Sequence, residues 1–205
     1  MKKFNRPFLL ILLAILISVL ATACAKKYYI YVNYKPPVLQ VDLKDKEIYL
    51  AIRDVRSDKT IFSKNAAAEF KNFIGYFSLS MVTDKKESVD IGSFDLLSLF
   101  KEAFSKRLEN MEMNILTDYK ETEPAIEIAL QKFYLDLIGR KWVVEISYEA
   151  SMMKENILIA KETISGKAER VKVFRQGDAE KALSEIFTSL INKLDIHKLF
   201  MQDKP

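Results

Sequence analysis

The chain has 205 residues, 32 Lys and Arg against 28 Asp and Glu, a formal charge of +4, one histidine and one cysteine. Five glycines and five prolines exclude a low-complexity chain. A single cysteine excludes a disulfide framework and a cysteine-based metal site.

The N-terminus has three parts. Lys2, Lys3 and Arg6 form a basic start, Phe8 to Leu20 is an apolar run, and Ala21-Thr22-Ala23 are small residues ahead of Cys24. This is the form of a secretory signal peptide. With the cysteine at the cut site it resembles a bacterial lipoprotein lipobox, although Ala21 stands where most lipoboxes carry Leu. The resemblance implies cleavage before Cys24 and acylation of its thiol. The alternative is an uncleaved anchor, but the 16 residues from Phe8 to Ala23 fall short of the ~20 that span a bilayer. Cleavage leaves residues 24–205 with a net charge of +1, because three cations and no acid depart. Such a chain has no general electrostatic reason to bind nucleic acid. Its expected partners are the membrane, through the lipid, and an envelope protein of unknown identity.

Residues 24–45 read as a lipidated tether. It is aromatic, with Tyr28, Tyr29, Tyr31 and Tyr34 ahead of Pro36-Pro37. Tyrosines with lysines near an acylated end suit a membrane–water interface. The same stretch also fits a first extended segment packed on the domain. A single domain is expected over 46–205, where a core of ordinary size is possible.

Ile48, Leu50 and Ile52 alternate with Tyr49, Ala51 and Arg53 and predict a strand that runs into the loop Asp54 to Asp58. Phe73, Gly75, Phe77, Leu79 and Met81 share one parity in a second strand region, Phe70 to Val82, followed by a charged loop to Asp90. From Ser93 to Met111, Leu97, Phe100, Phe104, Leu108 and Met111 form one helical stripe, with Ser93 as the expected N-cap. Asn114 to Asp118 is a short strand candidate. In Pro124 to Leu137 the apolar parity switches near Gln131-Lys132, which predicts a bulge. Gly139-Arg140-Lys141 turns the chain into the strand Trp142 to Ala150, making a hairpin. Two more strands are expected on either side of a turn at Gly166, and a closing helix over Asp178 to Leu199, capped by Asp178. The expected fold is α+β: a two-layer, largely antiparallel sheet of about five to six strands with two amphipathic helices on one face.

The lipobox, the strand ending in Asp54-Val55-Arg56, the helix Ser93–Met111, Ile126-Glu127-Ile128, the Trp142-Val143-Val144 strand and the closing helix together resemble the YajG-like group of bacterial envelope lipoproteins. More loosely, they resemble auxiliary lipoproteins of ABC-type transport systems. The resemblance implies a periplasm-facing lipoprotein and carries over no catalytic residue.

No nucleotide-binding glycine loop is present, and His197 has no sequence neighbour to make a catalytic pair. Glu145 and Glu149 lie about 13 Å apart along a strand, too far for a retaining glycosidase. Met111, Met113, Met152 and Met153 fit core or turn positions better than a soft-metal site. The candidate sites are therefore Cys24 for lipidation and a contact surface of Phe62, Tyr76, Asp54 and Arg56, although Asp54 and Arg56, two apart on one strand face, read better as a pair that pins the turn. No catalytic residue, cofactor or metal is expected. The reading is a non-enzymatic binding or accessory protein of the envelope. The alternatives are a small-ligand or lipid carrier and a carboxylate-dependent hydrolase.

Overall fold

The alternating stretches on either side of Gly139 become two long paired strands. The computed structural model describes residues 27–38, 43–83 and 87–201, so the signal-like segment and Cys24 lie outside the described residues. The elements are β1 Tyr28–Tyr34, β2 Glu47–Asp54, α1 Lys64–Glu69, β3 Phe73–Val82, β4 Ser88–Phe94, α2 Leu96–Asn110, β5 Asn114–Leu116, β6 Ala125–Ile138, β7 Lys141–Lys154, β8 Ile157–Val171, α3 Gln176–Lys193 and α4 Ile196–Met201. The fold is α+β, built on two sheets, both mixed. One has the order β1-β3-β4 and the other β5-β2-β6-β7-β8. β1 runs parallel to β3, and β2 runs parallel to both β5 and β6; the other pairs are antiparallel.

Pattern and structure agree closely in β6 and β7. Ile126, Ile128 and Leu130 are buried before the switch, and Phe133, Leu135 and Leu137 after it. The register with β7 shifts between Leu130 and Lys132, where the bulge was expected. A two-residue turn joins β6 to β7, and Gly139 takes the positive φ of 58° that such a turn needs. Trp142, Val144, Ile146 and Tyr148 then point into the core beneath the helices. Aromatic rings fill the space between the layers: Phe100 lies 5.1 Å from Phe187, and Phe77 lies 5.5 Å from Phe133.

Several expectations are corrected. Of the two readings of residues 24–45, the packed extended segment holds for β1, whose Ile30, Val32 and Tyr34 are fully buried, so the folded domain includes Tyr28–Tyr34 rather than starting near Lys46. The charged loop continues into β4, an edge strand too polar to be read before its pairing with β3 is known. Asp95, not Ser93, caps α2 and accepts from the Ser98 amide at 2.8 Å. Ser63 caps the short helix α1. Gly166 is not a turn but lies inside β8. A Cβ there would meet Ile186 Cδ1 at 2.8 Å and Leu190 Cδ2 at 2.9 Å, so the glycine lets α3 approach the sheet. The closing helix breaks at Leu194, which is extended, and Asp195 caps α4 by accepting from the Lys198 amide at 2.8 Å.

The outer edge of β1 is covered by side chains rather than by another strand. The Tyr31 amide donates to Glu180 Oε1 at 3.0 Å, the Asn33 amide to Ser184 Oγ at 2.9 Å and the Lys35 amide to Thr188 Oγ1 at 3.3 Å. Asn192 closes the row, donating to the Lys35 carbonyl at 2.9 Å and accepting from the Tyr34 hydroxyl at 3.0 Å. Four residues of helix rise about 6 Å and two residues of strand about 6.6 Å, so the two repeats stay in step. Asn192→Ala removes two of these bonds, one of them to the buried Tyr34. It is expected to lower stability in urea by about 1–3 kcal/mol, whereas Lys193→Ala stays within about 0.5.

Candidate functional site

The Asp54-Val55-Arg56 segment ends β2 and turns on itself. The Arg56 guanidinium folds back on the Asp54 carboxylate, with Nε to Oδ1 at 3.0 Å and Nη2 to Oδ2 at 2.9 Å, and the Arg56 amide adds a third bond at 3.1 Å. Lys59 Nζ lies 2.9 Å from the same carboxylate. The Val55 amide donates to the Leu130 carbonyl at 2.9 Å, tying this loop to the residue before the bulge. Hydrogen bonds from Arg56 hold the Asp54 carboxyl well below the usual range. Arg56 is buried, so Asp54 and Arg56 form an internal clasp rather than a contact surface.

The loop that follows the clasp forms one wall of a cleft of about 400 Å³ on the open face of the five-stranded sheet. Ser57, Asp58 and Thr60 come from the loop, Lys132 and Tyr134 from the bulged part of β6, and Glu145 from β7. The bulge matters because the parity switch turns Lys132 and Tyr134 to this face while Phe133 goes inward. The charges in the cleft are already partnered. Lys132 pairs with Glu145, and Lys167 with Glu169 at 2.9 Å. The Thr60 amide donates to Asp58 at 2.8 Å and holds that carboxyl below its ordinary value. Lys141 and Lys167 hold Glu169 down at about 2. Across the same face Arg53 pairs with Glu127, and Lys161 with Glu149 at 2.9 Å. The face thus presents alternating, mutually paired charges around the cleft.

The remaining sequence candidates are dispersed. Phe62 is half-buried, stacked on Phe70 at 5.1 Å and edge-on to Phe73 at 5.4 Å, because its backbone bridges to Leu135 and turns the ring into an aromatic cluster. It is therefore not a surface contact. Tyr76 is 46% exposed on β3 and lies on the other sheet from the Asp54 clasp. Met111, Met113 and Met152 are buried. Glu145 and Glu149 each pair with a lysine on a neighbouring strand. His197 sits on α4 beside Asp195 and Arg107 in a separate shallow pocket.

Arg107 stands in the last turn of α2, where a cation suits the dipole, but its burial does not follow from the sequence. It is 5% exposed and donates to the carbonyls of Ile191 and Leu194, where α3 ends. Burial lowers its pKa, while the partial negative charge of the helix C-terminus favours the cation. A cation in the last turn of α2 was legible in the sequence; its partner, another helix's end, was not. Among the described residues no group of three or more His, Cys, Asp or Glu could hold a metal ion. Among them, too, no helix is long and apolar enough to cross a membrane.

No family model and no curated protein matches the sequence. Among solved structures, protein XCC0632 from Xanthomonas campestris, of family model DUF330, matches with a TM-score of 0.50 and 12% identity over 82% of this chain and 93% of that one. The hypothetical protein CT253 from Chlamydia trachomatis matches at 0.42 and 8% over 77% and 95%. Lipoprotein GNA1162 from Neisseria meningitidis matches at 0.27 and 10% over 72% and 99%. The chain shares its fold with the Xanthomonas protein.

Two measurements check this account. Asp54 has a depressed folded pKa, so its contribution is complete above the unfolded value near 4 and is lost as pH falls through the folded one. Wild type is expected to lose stability below about pH 4 more steeply than Asp54→Asn, read from urea midpoints across pH. Arg107→Met strips the Ile191 and Leu194 carbonyls of their donors and is expected to cost about 2–4 kcal/mol in the same assay.

Proposed function

We propose that this chain is a lipid-anchored protein of the bacterial cell envelope, facing the periplasm and acting by binding as an accessory to an envelope assembly or transport system. One observation carries the reading. A cysteine behind a signal-type segment stands four residues ahead of a strand that is locked into the domain. The lipid on Cys24 would thus hold a folded body directly at a membrane. Ala25 after the cysteine resembles the class sorted to the outer membrane in two-membrane bacteria.

The rest of the molecule supports binding over chemistry. The cleft residues form salt bridges and backbone bonds and do not pair a nucleophile with a base. The aromatic rings between helices and sheet leave the interior packed, which favours a partner-binding role over a carrier with an internal chamber. The open sheet face, with its cleft and alternating charges, is the surface offered to an envelope partner.

Growth with labelled palmitate tests the anchor. Wild type is expected to incorporate label and Cys24→Ala to lose it; unlabelled wild type, or label retained by the variant, removes the basis of this reading.

A further inference from the structure

The end of the domain where β1 begins gathers three segments of the chain. The β6–β7 turn, the residues after β8 and the start of β1 meet there. The Lys172 amide donates to the Arg140 carbonyl at 2.8 Å, Trp142 Nε1 to the Arg175 carbonyl at 3.0 Å, and Gln176 Nε2 to the Glu69 carbonyl at 2.7 Å. The Tyr28 amide donates to Asn72 at 2.9 Å, which brings the N-terminal strand to the same end. Large apolar side chains project from it: Ile138 is 60% exposed, Val173 65% and Phe174 73%.

The buried Asp178 carboxylate accepts from the amides of Val173, at 2.7 Å, and Phe174, which pins the backbone that carries these two exposed side chains. Arg175 follows with a positive φ of 54°. The acids at this end are turned to internal partners. Glu69 pairs with Lys172 at 2.8 Å, Glu169 with Lys141 at 2.8 Å, and Glu180 accepts from the Tyr28 hydroxyl at 2.7 Å. Arg140 and Arg175 stay exposed and make no ion pair among the described residues. Lys181 lies over the Phe174 ring at 5.9 Å.

We propose that this end is a membrane-contacting surface, with Ile138, Val173 and Phe174 entering the interfacial layer of an anionic bilayer and Arg140 and Arg175 meeting its phosphates. The proposal rests on the anchor reading above and deepens it. The occupant follows from chain length: four residue steps separate Cys24 from Tyr28, a reach of at most about 14 Å. A membrane holding residue 24 therefore lies against the end where β1 starts, and that end carries exposed apolar side chains rimmed by unpaired cations. A lipid chain with a basic patch is the two-signal combination that makes attachment stable.

The test uses the full chain, purified from membranes and reconstituted into phosphatidylcholine vesicles containing phosphatidylglycerol, with or without brominated acyl chains. Phe174→Trp reports on the proposed surface. Ile157→Trp, at the far end of the β7–β8 hairpin about 40 Å away, is the control, and the fully buried Trp142 is a common background. Brominated lipid is expected to quench about half of the added emission at position 174 and almost none at 157. Adding Arg140→Glu and Arg175→Glu is expected to reduce that quenching at least twofold, as is omitting phosphatidylglycerol. The mass of the N-terminal peptide reports the anchor independently. A lipid-bearing peptide with equal quenching at both positions, or with none, overturns the surface and leaves the anchor standing. Quenching at 174 on a chain without N-terminal lipid does the reverse. A protein that docks on this end while 174 stays unquenched also overturns the proposal.

Discussion

The structure depends on a seam between one helix and one strand edge. α3 lies against β1 of the small sheet and against β7 and β8 of the large one, so it joins the two sheets. Its apolar residues Leu183, Phe187 and Leu190 enter the common core. Its Glu180, Ser184 and Thr188, at four-residue intervals, satisfy the amides of β1, which no strand pairs on that side. An exposed parallel edge invites aggregation, and here a helix blunts it. Gly166 is the counterpart on the large sheet, where a missing Cβ lets the same helix settle against β8. Arg107 completes the arrangement by satisfying the carbonyls at the point where α3 ends.

With the helices committed to one side, the opposite face of the five-stranded sheet stays open. Its side chains alternate in charge from strand to strand, which keeps a broad β-surface in solution without covering it. The bulge in β6 interrupts the ladder at one place, and the Asp54–Arg56 clasp brings a loop beside it, so the cleft is where the open face has depth. The clasp and the bulge meet through the bond from Val55 to Leu130. A structural motif thereby shapes the most enclosed part of the proposed partner surface.

The proposed anchor and the start of the fold are close neighbours in the chain. A long flexible tether would let the domain sample many orientations over a membrane. Under the proposed lipidation, a strand that begins four residues after Cys24 would restrict the domain to presenting one end. In the proposed orientation the open sheet face stands to the side of that end.

Much was legible in the sequence where one face of an element meets the core. The α+β class, the β6–β7 hairpin, the bulge at Gln131-Lys132 and the amphipathic character of α2 and α3 follow from periodicity, because burial on one side imposes a period of 2 or 3.6 residues. Asp54 and Arg56 were legible as neighbours two residues apart, and their role as a clasp follows once Arg56 is known to be buried. Three things were decided only by the tertiary structure. β1 became a core strand because β3 and α3 are available on its two sides; Phe62 turned inward because its backbone joins β6; and Gly166 became a packing site because a helix crosses it. Each depends on a partner distant in the chain, and hydrophobic period records only that a face is buried, not which element buries it.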